Sequence, residues 1–273
     1  MCLSAAPAHF SNTILYAGLV RQGKKPIHVI GYQNTAENHH SGPNCMILPL
    51  QSKGAMGPGN ILDTSGARNL LKDMRSAITP RSKGLAFGAT RGIASDSMKV
   101  QVFDHDVYTI CLGRVGANFK TALKTVGEDR RPTIPAEILK FFETYYRNYH
   151  LAVCCFNNRE AQSASPMLWQ YEPVNPDVIV APAIDGHDGF APRPGTPVDL
   201  DHVLIASGPN VRGATVDYTD KIPSALRPYL PESVVGQMYD GESAANGDFL
   251  IDVTRMGSKL GAAVRRGILP IAA

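Results

Sequence analysis

Long apolar runs are missing from this 273-residue sequence: nothing approaches the about 18 consecutive apolar residues that a membrane-spanning helix needs. Aromatic residues are sparse at 7%, with a single Trp, and charged residues make up only 19%. Cysteine is both scarce and odd in number. Cys2, Cys45, Cys111, Cys154 and Cys155 are too few for a disulfide framework, and the last four sit in apolar runs where a free thiol behaves as a small hydrophobe. Met1 to Ala5 lacks the basic and apolar segments of a secretory signal, so a reducing cytoplasm is the expected compartment. Catalytic signatures are absent too: there is no G-x-S-x-G, no H-E-x-x-H, no C-x-x-C and no P-loop. At 44% apolar residues, however, the chain has ample material for a packed core.

That apolar material falls into short segments of two kinds. Residues 12–20 and 26–33 read as strands joined by the polar turn Arg21-Gln22-Gly23-Lys24-Lys25, a hairpin with a basic tip. Further strands are expected at 44–50, 99–103, 107–112, 151–156, 167–172, 178–181, 202–206 and 248–253. Three helices are expected between them. Leu70, Leu71, Met74 and Ala77 form one stripe; Phe119, Ala122, Leu123 and Val126 form a second behind an Asn118 cap; Ile138, Phe141, Phe142 and Tyr145 form a third after Pro135. The order is not a regular βαβ alternation. It predicts an α+β fold, a mixed or antiparallel sheet with three amphipathic helices. The domain expectation is a main unit over 1–200 and a C-terminal extension over 201–273 that packs on it or on a neighbouring subunit.

Several constellations could carry chemistry. Removal of Met1 would expose Cys2 as an N-terminal nucleophile whose own α-amine acts as base, the arrangement of amide-cleaving N-terminal-nucleophile hydrolases, which a Met-Cys start resembles. Asp and His gather at 104–106, 185–189 and 199–202; Asp185 and His187 share a face of an extended chain and, with His202, are the candidate metal ligands. The alternative for all three Asp/His runs is ordinary turn chemistry. The glycine loop 54–60 precedes a helix, but Asp63 at the helix mouth would compete with a bound phosphate. Cys154 and Cys155 are adjacent, so a strand would send one thiol to each face. No organic cofactor is implied.

Charge is divided along the chain: residues 1–131 carry a net +8 and residues 132–273 a net −5. The basic half lacks interleaved aromatics, so nucleic acid is a less favoured partner than a second copy of the chain meeting it head to tail. Arg21, Lys24 and Lys25 at the hairpin tip, and Ile268, Leu269 and Ile271 in the apolar end of the chain, are the candidate interface residues. The expected function is therefore non-catalytic binding or self-assembly, with the Cys2 hydrolase and the metal-binding protein as alternatives.

The hairpin, the strand ending Ile47-Leu48-Pro49-Leu50, the strand at 108–112 with its helix, Tyr145-Tyr146 ahead of 151–156, and Pro166-Met167-Leu168 leading to Tyr171 and Pro182 fall in a characteristic order. Over about residues 12–183 this order resembles an uncharacterised bacterial family of unknown function. The resemblance implies a fold and supplies no chemistry; its members tend to be exported, and no export signal is read here.

Overall fold

The computed structural model describes residues 3–39, 42–79, 100–157 and 164–269. Within them the strands assemble into three sheets. The first joins Leu3–Ser4 (β1), Asn44–Leu50 (β4), Gln101–His105 (β5), Tyr108–Arg114 (β6) and His150–Phe156 (β7) in the order β1-β4-β7-β6-β5. The second joins Ala8–Gln22 (β2), Lys25–Asn38 (β3), Met167–Tyr171 (β8), Pro197–Ser207 (β10), Ala214–Thr215 (β11) and Ser233–Ala245 (β12) in the order β11-β12-β10-β2-β3-β8. A small third sheet holds Val178–Ala181 (β9), Asp248–Asp252 (β13) and Val264–Gly267 (β14) in the order β14-β13-β9.

β4 and β7 are buried at every position. Because successive side chains point to opposite faces, that pattern requires cover on both sides of the sheet. Met46, Leu48, Ala152 and Cys154 enter a central core shared with Leu15, Ile30 and Trp169 of the second sheet. Cys45, Ile47, Val153 and Cys155 face the other way, onto Phe119, Leu123, Ile138 and Phe142. These last belong to Phe119–Leu123 (α2) and Ala136–Tyr145 (α3). The outer face of the second sheet is covered in turn by Leu70–Ile78 (α1), through Leu70, Leu71 and Met74 on Tyr16, Val29 and Ile205. The layers therefore run helices, sheet, sheet, helix.

Local chemistry places these pieces. Asn118 caps α2 by accepting from the Thr121 amide at 3.0 Å, and Pro135 stands immediately before α3. The basic turn is tight: Gln22 pairs with Lys25, and Gly23 adopts φ +61° between them. Among the described residues there are fourteen strands and three α-helices. The α+β expectation is met in that helices do pack on sheets, but the protein is mostly β. The expected boundary at residue 200 falls inside β10, which runs parallel to β2 and antiparallel to β12. Residues beyond it complete the central sheet.

Gly31 of β3 is the position where α1 comes closest. A Cβ there would lie 2.9 Å from Cδ2 of Leu71 and 2.9 Å from Cβ of Tyr16. The Leu71 methyl can swing away, but the Tyr16 Cβ is fixed to its strand. Gly31→Ala is expected to cost about 1–3 kcal/mol by overpacking, read as a lowered midpoint in urea unfolding.

Candidate binding site

The third sheet meets α3 and the long loop after β9 through a set of polar contacts made by Asn246 and Asp248. The chain leaves β12 through Asn246-Gly247 and enters β13 at Asp248. Gly247 is obligatory at this bend: a Cβ would stand 2.7 Å from the Cα of Gly267. Asn246 clamps two stretches of the loop. Its Oδ1 accepts from the Asp185 amide (2.8 Å) and its Nδ2 donates to the Asp185 carbonyl (2.9 Å). Its backbone N–H and C=O pair with Thr196 and Gly195 at 2.8 and 2.9 Å.

Asp248 is fully buried, and its oxygens are fully engaged. Oδ1 accepts from the amides of Ala183 (2.9 Å) and Ile184 (3.1 Å), and Oδ2 from the Tyr146 hydroxyl (3.0 Å). Burial outweighs these bonds and pushes its carboxyl up to about 6, with the Arg266 charge opposing the rise. Arg266 itself lies over the Phe249 ring, 4.3 Å from the centroid. Its Nε and Nη2 donate to the Ala245 and Ala183 carbonyls at 3.3 and 3.5 Å, the weak end of the range. Nη1 is buried without a hydrogen-bond partner. Beside these groups opens a cavity of about 450 Å³, lined among others by Tyr145, Pro194, Asn246, Arg266, Ile268 and Leu269. Its walls are mostly apolar, a combination typical of ligand pockets.

The residues singled out from sequence distribute unevenly around this site. Asp185 and His187 do come together, with Nε2 2.8 Å from Oδ1, and the imidazole also meets the edge of Phe10. His202 lies on β10 and makes a T-shaped contact with Phe249, the ring on which Tyr239 and Arg266 also stack. No group of three or more His, Cys, Asp or Glu placed to hold a metal ion occurs among the described residues. Asp104 accepts from Thr109 within the β5–β6 hairpin, and Asp106 adopts φ +53° at its turn, so this cluster serves the turn. Asn60 closes the glycine loop by accepting from the Gly57 amide (2.9 Å) and donating to the Gln170 carbonyl (2.8 Å).

Cys2 and Ile271 lie outside the described residues. Ile268 and Leu269 pack partly against the chain's own helix-side core while lining the cavity. Arg21, Lys24 and Lys25 are exposed at the far hairpin tip. Cys154 and Cys155 are both buried, and the hydrogen bond with Cys111 together with burial holds the Cys155 thiol far above its ordinary range. Burial likewise keeps His28 and His150 down at about 4, and His28 Nε2 donates to the Pro176 carbonyl at 3.2 Å. Among the described residues no helix is long and apolar enough to cross a membrane.

Sequence reasoning missed Asn246, Asp248 and Arg266. Two signals were present: the Asn-Gly pair, a strong turn former, and a carboxylate opening the apolar run Phe249-Leu250-Ile251.

No protein-family profile matches the chain, and no curated sequence matches it. Among solved structures it is similar to the crystal structure of baculovirus P35, at 15% identity and a TM-score of 0.46, covering 93% of this chain and 92% of that one. It is also similar to a chain in the crystal structure of the caspase-8/P35 complex, at 12% identity and a TM-score of 0.43, covering 95% of this chain and 91% of that one. Likeness at that level carries no functional argument.

The Asp248 carboxyl makes a testable contribution to stability. Its value in the folded protein, about 6, exceeds the ordinary 3.8, so the folded state holds the proton more tightly than the unfolded chain. The contribution is whole below pH about 4 and is lost as the pH rises to about 6, a decline of about 3 kcal/mol. Asp248→Asn keeps the acceptor for Ala183 and Ile184 and cannot ionise. Urea unfolding of both proteins from pH 4 to 7 is expected to show this decline in the wild type relative to the variant; parallel curves would remove it.

Proposed function

We propose that the chain is a non-catalytic binding protein, and that it holds a peptide segment of a protein partner at the cavity between α3 and the third sheet. One observation carries this reading: an open, largely apolar cavity of about 450 Å³ lies beside β14, the edge strand of its sheet. An edge strand offers backbone donors and acceptors to an incoming extended chain, and neighbouring pockets then take its side chains. The cavity's frame is preorganised by the four hydrogen bonds of Asn246, which lowers the ordering cost of binding. Selection of a displayed random-peptide library on the full chain tests the reading. Peptides are expected to be enriched on the wild type and lost on Thr144→Trp, which fills the cavity from an exposed position on α3; enrichment equal on both proteins, or none on either, defeats it.

Self-association is the second reading, favoured by the exposed cluster Arg21, Lys24 and Lys25 on the projecting β2–β3 tip in a chain whose second half is net acidic. It predicts concentration-dependent oligomers in sedimentation velocity at low salt that dissociate at high salt. Reversal of the three charges should leave a monomer at both; a wild-type monomer at low salt rules it out.

A further inference from the structure

Among the described residues that line the cavity, Arg266 is the one with a buried side-chain nitrogen that has no hydrogen-bond partner. It is largely withdrawn from water, and that withdrawal lowers its affinity for its own proton. Two of its nitrogens reach carbonyls only at 3.3 and 3.5 Å, and Nη1 has no partner. A buried donor without an acceptor costs about 1–3 kcal/mol, and such groups are uncommon in folded proteins.

The neighbouring anions do not complete it. Asp248 spends Oδ1 on two amides and Oδ2 on Tyr146. Asp185 stands against His187. Among the described residues no carboxylate lies within ion-pair distance of the guanidinium. Two exposed cations flank the cavity, Arg193 beside the lining residue Pro194 and Arg265 beside Arg266, against one exposed carboxylate, Glu143, beside the lining residue Thr144.

We infer that the cavity recognises a carboxylate borne by an acidic residue of an extended peptide, with Arg266 as its anchor and Tyr145, Ile268 and Leu269 as the apolar wall for the flanking side chains. The inference rests on the binding reading above and adds the partner's chemistry to it. A guanidinium matches a carboxylate with two parallel donors, and removal from water strengthens that pairing. The edge of β14 favours a peptide over a free acid, because only a peptide can also pair with the strand.

The test uses two blocked peptides, acetyl-Val-Glu-Leu-Val-amide and its Gln counterpart, with 4-phenylbutyrate as a free acid, titrated calorimetrically into the full chain. The Glu peptide should bind at least about tenfold more tightly than the Gln peptide, the worth of one charge-assisted hydrogen bond. Arg266→Gln should abolish the difference while sparing the Gln peptide, and Arg266→Lys should keep part of it. If Arg266→Gln does not fold, Tyr145→Glu replaces it: a negative charge on the wall should weaken the Glu peptide selectively. Equal affinity of both peptides for the wild type, or a preference that survives these changes, overturns the inference. So does 4-phenylbutyrate binding as tightly as the Glu peptide. Library peptides enriched without acidic residues would sink the carboxylate anchor and leave the binding reading standing, whereas failure of the library selection removes that reading first.

Discussion

The parallel pairing of β2 with β10 is the constraint on which the rest of the structure depends. It aligns Thr13 through Gly18 with His202 through Ser207, joining the beginning of the chain to its last third in the middle of the six-stranded sheet. A buried hydrogen bond of 2.7 Å between the Tyr16 hydroxyl and Ser207 Oγ fastens the same pair from the α1 side. Without β10, β2 would be an edge, the central core would lose Leu200, Leu204 and Ala206, and β12 would keep only the two-residue β11 beside it. Closing so long a loop is unfavourable until the sheet contacts form, so folding of this chain is expected to be slow and dominated by non-local contacts.

Sequence patterns disclosed the elements whose reason for existing is local. Asn44–Leu50 and Val178–Ala181 were bounded as the structure has them, and the three helices followed from their apolar stripes and from the Asn118 cap and Pro135. What the patterns could not disclose was β12. Its thirteen residues include Gly236 and Gly241, and six are exposed while only two are buried, so no apolar alternation marks it. It is a strand because β10 offers it a ladder, which is tertiary information. The same reason hid the role of residues beyond 200: pairing partners are not written in periodicity, and neither is which surface a short strand completes.

The cavity follows a similar logic at smaller scale. Its ingredients come from α3, the loop at 185–196, the bend at Asn246-Gly247 and the end of β14, segments far apart in the chain. Asp185 and His187 were brought together by the local two-residue spacing that predicted it. Asp248, Tyr146 and Arg266 were brought together by the meeting of a sheet and a helix, and no spacing rule reaches that far. The two charged groups differ: each oxygen of Asp248 accepts at least one hydrogen bond, whereas Nη1 of Arg266 has no partner. Unpartnered buried atoms also occur away from the cavity, Thr13 Oγ1 and Trp169 Nε1 among them, and Arg266 differs from these by its place in the cavity wall.

Cys154 and Cys155 occupy adjacent positions, yet one belongs to the core between the sheets and the other to the core beneath the helices. Thiol chemistry requires the sulfur to meet solvent, which buried thiols do only when the surrounding layer opens. The two residues therefore act as built-in reporters of separate events. A reagent that reaches Cys155 records the lifting of α2 and α3 from the first sheet, and one that reaches Cys154 records the parting of the two sheets. A single dipeptide thus times the loosening of two layers independently.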